Sequence, residues 1–192
     1  MVRAVCGDNR PMKLELAEDD RPPAELSLEE YLHSSFSPDC DFVDGRSEER
    51  NVGVFQHSAL VTALMVAMHR GRREWNARVL PSLRLRVSAT RVRVPDLCMI
   101  SNDAPKEQVL TRPPLVVIEV LDEEDRFCAT MEKLADFERF GVQRIWIVDP
   151  ERRVAYRYTN GGLERISNDE LTLPGTPIRV VLSEMFAELD RA

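Results

Sequence analysis

Two apolar runs with one helical stretch between them constrain this chain more than anything else in it. Residues 115–121 read LVVIEVL and residues 145–149 read IWIVD, while residues 126–140 carry a helical pattern that stops at Gly141. Runs apolar on both faces are strands covered from both sides. A glycine directly after a helix supplies the left-handed residue that ends it. Strand, helix and strand in this order predict an α/β protein with a central mixed sheet flanked by helices. Glu119 sits inside the first run, where a carboxylate is costly unless it is paired or used.

The flanks read as hairpins and short helices. Ser27 and Glu30 form a capping-box pattern opening a helix. DFVDGRSEERN turns at Asp44-Gly45, and RVAYRY and GLERI turn at Asn160-Gly161-Gly162. HSALVTALMVAMHRGRREW repeats Leu60, Val61, Leu64 and Met68 at helical spacing. RVLPSLRLRVSATRVRVPDLCMI reads as strand, turn, strand, and LSEMFAEL closes the chain as a helix. Residues 1–25 are acidic and proline-dotted, an expected loose lead-in, with residues 26–192 expected as one domain.

Composition narrows the function. The start lacks a signal peptide's apolar core, and ALVTALMVAM is too short to span a bilayer. Cys6, Cys40, Cys98 and Cys128 form no C-x-x-C pair, against a structural zinc site and consistent with reduced thiols in a cytoplasm. Net charge is −7, yet residues 51–93 hold eight arginines and one acid, Glu74. Arg84, Arg86, Arg91 and Arg93 alternate with apolar residues there. They are candidates for binding a nucleic-acid backbone, and equally for a solvated face.

Three residues carry candidate chemistry: Asp96 in VPD, Glu119 in VIEV and Lys133 in MEKL. Asp96 starts a strand. Glu119 shares a strand face with Val117 and Leu121. Lys133 flanks the apolar side of its helix with Phe137 and Phe140, away from Glu132 and Asp136, and can reach back to the strand that feeds it. Two carboxylates at neighbouring strand ends suit Mg²⁺ or Mn²⁺, which would activate water and polarise a phosphoryl oxygen. The competing reading is a structural Glu119–Lys133 ion pair. His57, at the head of an apolar helical stripe, reads from the residues alone as a buried or capping histidine rather than a catalytic one.

The blocks VPD, VIEVL, EKLADFERFGVQRIWIVDP and RVAYRY, with DFVDGRSEERNVG followed by His57, resemble the Uma (Uma-two) family of restriction-endonuclease-like proteins in the P-D…(D/E)-x-K nuclease superfamily. The resemblance runs from about Ser27 to the last strand. It implies a restriction-endonuclease-like core with β-hairpin extensions and a metal-dependent nuclease, acting on nucleic acid, with DNA the expected substrate, as a homodimer. By resemblance Asp96, Glu119 and the carbonyl of Val120 match metal ligands, and Lys133 matches the catalytic lysine, here on the helix after the strand. Glu49 matches the additional acid, with Glu48 beside it, and His57 matches the recurrent histidine. The chain departs from the family where Ser-Pro is common and Asp122-Glu123-Glu124-Asp125 stands, and where Phe137 replaces a frequent tyrosine. Four acids beside the site repel a phosphate backbone. The alternative is therefore a weak or inactive nuclease-fold dimer that binds nucleic acid or protein.

Overall fold

The computed structural model describes residues 26–37, 39–50, 53–122 and 126–190. The expected lead-in at 1–25 and the acids Glu123, Glu124 and Asp125 lie outside the described residues.

A six-stranded sheet forms the centre. Its strands are β3 (Ala77–Pro81), β6 (Leu97–Ser101), β8 (Val116–Val120), β9 (Arg144–Asp149), β10 (Val154–Thr159) and β11 (Gly162–Arg165), in the order β11-β10-β9-β8-β6-β3. Within this sheet only β8 and β9 pair in parallel, and α3 (Phe127–Phe140) is the crossover between them. The sheet is therefore mixed, as the two apolar runs require. Asn160 and Gly161 join β10 to β11 with φ of 50° and 74°, the two left-handed residues of a tight hairpin turn.

Strand alternation divides the core. Val116, Ile118 and Val120 pack with Trp146 and Val148 under α2 (Phe55–Gly71) and α4 (Leu182–Glu188). Val117, Ile145 and Ile147 pack on the other face with Leu134 and Phe137 of α3. Glu119 belongs to this second face by period, so it points toward α3. Gly141 ends α3 at φ 98°, its amide donating to the carbonyls of Glu138 and Phe137.

A second sheet runs β2-β1-β5-β4-β7, from β1 (Cys40–Val43), β2 (Arg46–Glu49), β4 (Arg84–Arg86), β5 (Arg91–Arg93) and β7 (Val109–Leu110). The Asp44-Gly45 hairpin joins β1 to β2 at φ 48° and 87°. The capping box at Ser27 opens α1 (Leu28–His33), and Tyr31 of that helix donates its hydroxyl to the Cys40 carbonyl at 2.6 Å. A small antiparallel pair, β12 (Glu170–Thr172) and β13 (Arg179–Val181), lies ahead of α4.

The expected strand, turn, strand over residues 78–100 is instead one long hairpin that changes sheets. β3 pairs with β6 in the first sheet, and β4 pairs with β5 in the second. Ser82 bends one arm at φ 48° and donates its amide to the Asp96 carbonyl, while Pro95 breaks the other arm. Asp96 therefore stands at the corner between the sheets. Among the described residues no helix is long and apolar enough to cross a membrane.

Candidate active site

The ladder between β6 and β8 ends with Leu97 opposite Ile118. The next residues outward, Asp96 and Glu119, are brought alongside each other at the open end of the central strands. Both line a cleft of about 600 Å³ with Arg50, His57, Arg126 and Lys133. Asp96 and Glu119 are each 8% exposed, so nearly all their bonding must be met from within the protein.

Asp96 is held on both oxygens. Oδ1 accepts from Arg50 Nη2 at 2.7 Å, and Oδ2 accepts from the Val120 amide at 2.8 Å with His57 Nε2 at 3.3 Å. Burial pushes its carboxyl up, but His57, Lys133 and Arg50 together hold it below the ordinary aspartate value. Gly53 makes room for the histidine: a Cβ there would lie 2.4 Å from His57 Nδ1.

Glu119 is different. Its Oε2 accepts from Lys133 Nζ at 3.0 Å, and Oε1 also lies 3.0 Å from that nitrogen but has no aligned donor among the described residues. Burial pushes its carboxyl up to about 8, and Lys133 only partly offsets that. Lys133 Nζ also donates to the Val94 carbonyl at 2.9 Å. Burial pushes its ammonium down, and the carboxylates of Glu119, Asp41 and Asp96 outweigh it, so the net shift is upward and the amine stays charged.

Among the described residues no group of three or more His, Cys, Asp or Glu gathers closely enough to hold a metal by itself. The donor chemistry still fits one hard cation. Glu119 Oε1 faces the Lys133 ammonium at 3.0 Å without an aligned hydrogen bond, Asp96 is its strand neighbour, and Val120 of the same strand end lines the cleft. The guanidinium on Asp96 Oδ1 already does part of a cation's work there.

Glu48 and Glu49 also border the cleft, whereas the four arginines are placed differently from a single basic stripe. Glu48 meets Arg93 Nη1 at 2.8 Å and faces Asp41 across the hairpin. Strand alternation turns Glu49 to the opposite face, although it too borders the cleft. The four arginines do not form one open stripe. Arg93 is 2% exposed and holds Asp41, Glu48 and Asp136. Arg91 pairs with Asp44, Glu132 and Asp136. Arg84 lies over the Tyr31 ring, 4.6 Å from its centroid, and donates to Asp39 at 2.7 Å. Only Arg86 of the four is exposed. The charge of the other three is taken up by carboxylates from β1, β2, α3 and the segments flanking β1.

Three residues of this network carry no signal in the sequence. Arg50 reaches a partner 46 residues away. Asp41 accepts the Val94 amide at 2.8 Å, two residues before Asp96, and so fixes the corner. Asp136, expected on the outer face of α3, is 3% exposed because Arg93 draws it inward at 2.7 Å.

The solved structures supply a relative in fold. A "putative nuclease belonging to DUF820 from Anabaena variabilis ATCC 29413" is 17% identical, with TM-score 0.73, covering 85% of this chain and 99% of that one. The DrdV–DNA complex is 15% identical with TM-score 0.38, covering 68% of this chain and 10% of that one, too distant to bear on the fold. No curated protein matches. Residues 28–183, most of the chain, match the Uma2 family, whose description reads "Putative restriction endonuclease", and the chain belongs to that family.

Proposed function

We propose that this protein is a metal-dependent nuclease that hydrolyses phosphodiester bonds in DNA. One observation carries the reading most: two buried carboxylates, Asp96 and Glu119, meet at the open end of the central strands and both line the cleft. The family description and the nuclease named as the fold relative support the same chemistry.

In this reading Asp96, Glu119 and the Val120 carbonyl hold Mg²⁺ or Mn²⁺. That ion supplies Lewis-acid polarisation of a phosphoryl oxygen and an acidified water. Lys133, fixed by Val94 and Glu119, carries the charge that steadies a developing oxyanion. His57 and the Val120 amide hold Asp96 in orientation. Glu49, which borders the cleft, is the further acid of this reading, and the arginine pairs of β4 and β5 serve the fold rather than the chemistry.

The reading includes a homodimer, since β3 and β11 are edges of the six-stranded sheet and edges invite pairing. Sedimentation at micromolar concentration tests that part alone.

The activity test is a cleavage panel over double- and single-stranded DNA and RNA with Mg²⁺ and with Mn²⁺. DNA cleavage that Asp96→Asn and Glu119→Gln abolish is the expected result. A wild-type protein that binds neither ion by calorimetry, and cuts nothing in the panel, overturns the reading in favour of an inactive nuclease-fold module.

A further inference from the structure

Three cationic side chains that line the cleft are paired with carboxylates, and they are tied down unequally. Arg93 is buried and shared among three carboxylates. Lys133 is held by a carbonyl and a carboxylate. Arg50 bonds, among the described residues, to Asp96 Oδ1 at 2.7 Å, from a side chain 20% exposed at the cleft's rim.

We propose that Arg50 is a counter-ion that changes partner: it neutralises Asp96 until a divalent cation claims that carboxylate, and it then binds a phosphate of the nucleic acid. The inference rests on the metal-dependent reading above and adds a residue to it.

Local repulsion is the first reason. Arg50 already lies on the Asp96 carboxylate. A divalent ion bound to the same carboxylate repels the guanidinium at close range. An incoming phosphodiester offers the displaced guanidinium a new counter-ion. Lys133 cannot make the same move, because leaving would strand the Val94 carbonyl and a buried carboxylate oxygen.

Geometry is the second reason. Asp96 Oδ2 is committed to the Val120 amide and His57, so Oδ1 is the oxygen that a cation would take, and Arg50 lies on it. The guanidinium sits at the end of a long side chain that starts just after β2, so rotation about its own bonds is enough to turn it outward. Its planar fork then matches two phosphate oxygens, which a lysine ammonium cannot do.

The test compares wild type, Arg50→Gln and Arg50→Lys. Mn²⁺ binding is read by calorimetry, and binding of a short labelled duplex by anisotropy, in Ca²⁺ and in EDTA. Arg50→Gln should bind Mn²⁺ about tenfold more tightly, since the competing charge is gone. The same variant should bind the duplex about tenfold more weakly in Ca²⁺ yet equally well in EDTA. Arg50→Lys should keep wild-type Mn²⁺ affinity and lose part of the duplex affinity in Ca²⁺. If Arg50→Gln does not fold, that Arg50→Lys result alone decides, and full duplex affinity overturns the proposal. Wild type that binds Mn²⁺ while Arg50→Gln binds it no more tightly overturns this inference and leaves the nuclease reading standing. Wild type that binds no Mn²⁺ overturns both.

Discussion

Lys133 Nζ lies 3.0 Å from Glu119 Oε2, across the contact between a helix and a strand residue fourteen positions earlier. The pair is local in sequence and buried in space, so the strand, the connection and the helix must all be set before it forms. It joins the two halves of the parallel crossover at the site itself.

That geometry separates chemistry from ligation. Lys133→Met keeps the apolar stem beside its helix neighbours but removes the charge. Cleavage should fall about a hundredfold, the loss seen when one electrostatic stabiliser goes. Mn²⁺ affinity should stay within a few fold by calorimetry. A variant that loses Mn²⁺ binding entirely would make Lys133 part of the ligand set's support rather than of the reaction.

The arginines of β4 and β5 divide by burial. Arg93→Ala takes the buried guanidinium from Asp41 and Asp136, both nearly inaccessible, leaving Asp136 to Arg91 and Arg139 at the surface, and should cost about 3 kcal/mol in urea unfolding. Arg86→Ala alters an exposed side chain and should stay within about 0.5 kcal/mol of wild type. Equal losses for both would contradict the network described for Arg93.

Particular residues show why some of this was legible in the sequence and some was not. Glu119 stood out because a carboxylate interrupts an apolar run, and Lys133 because it sits on the apolar side of its helix. Asp44-Gly45, Asn160-Gly161 and Gly141 announced their turns because few residues adopt positive φ. Arg50 carried no such signal, since an arginine in a charged segment looks solvated until its partner 46 residues away is known. Arg93 and Asp136 each looked exposed by period, and only their mutual pairing buries them. The change of sheets between β5 and β6 was hidden for a similar reason. Alternation continues through both halves of the hairpin, and nothing in a two-residue period says which sheet a strand joins.

Asp136 sets an acid limit to stability. Burial pushes its carboxyl up, but Arg139, Arg93 and Arg91 together hold it below the ordinary value. A carboxylate lowered in the folded state stabilises above its unfolded pKa, near 3.8, and that contribution is lost as pH falls through the folded pKa. Unfolding free energy measured from pH 6 downward should therefore drop more steeply for wild type than for Asp136→Asn. At pH 6 the variant should already be less stable, because Arg93 has lost a buried partner. Parallel curves would show that Asp136 does not titrate with folding.

Gly53 and His57 offer a prediction that tests geometry through non-additivity. The Cβ of an alanine at 53 would lie 2.4 Å from Nδ1, 3.0 Å from Cγ and 3.2 Å from Cε1 of His57, so the ring must move. Its Nε2 is 3.3 Å from Asp96 Oδ2, and a shift of the ring weakens that contact. Gly53→Ala and His57→Ala should each lower cleavage about 10- to 100-fold, as loss of an orienting partner to a metal-binding carboxylate does. Mn²⁺ affinity should fall with them. The double variant removes the clash together with the ring, so it should be no worse than His57→Ala alone, giving a large coupling energy in the cycle. Losses that multiply would mean that Gly53 acts through the helix start rather than through the histidine, and His57 would lose its assigned role of orienting Asp96.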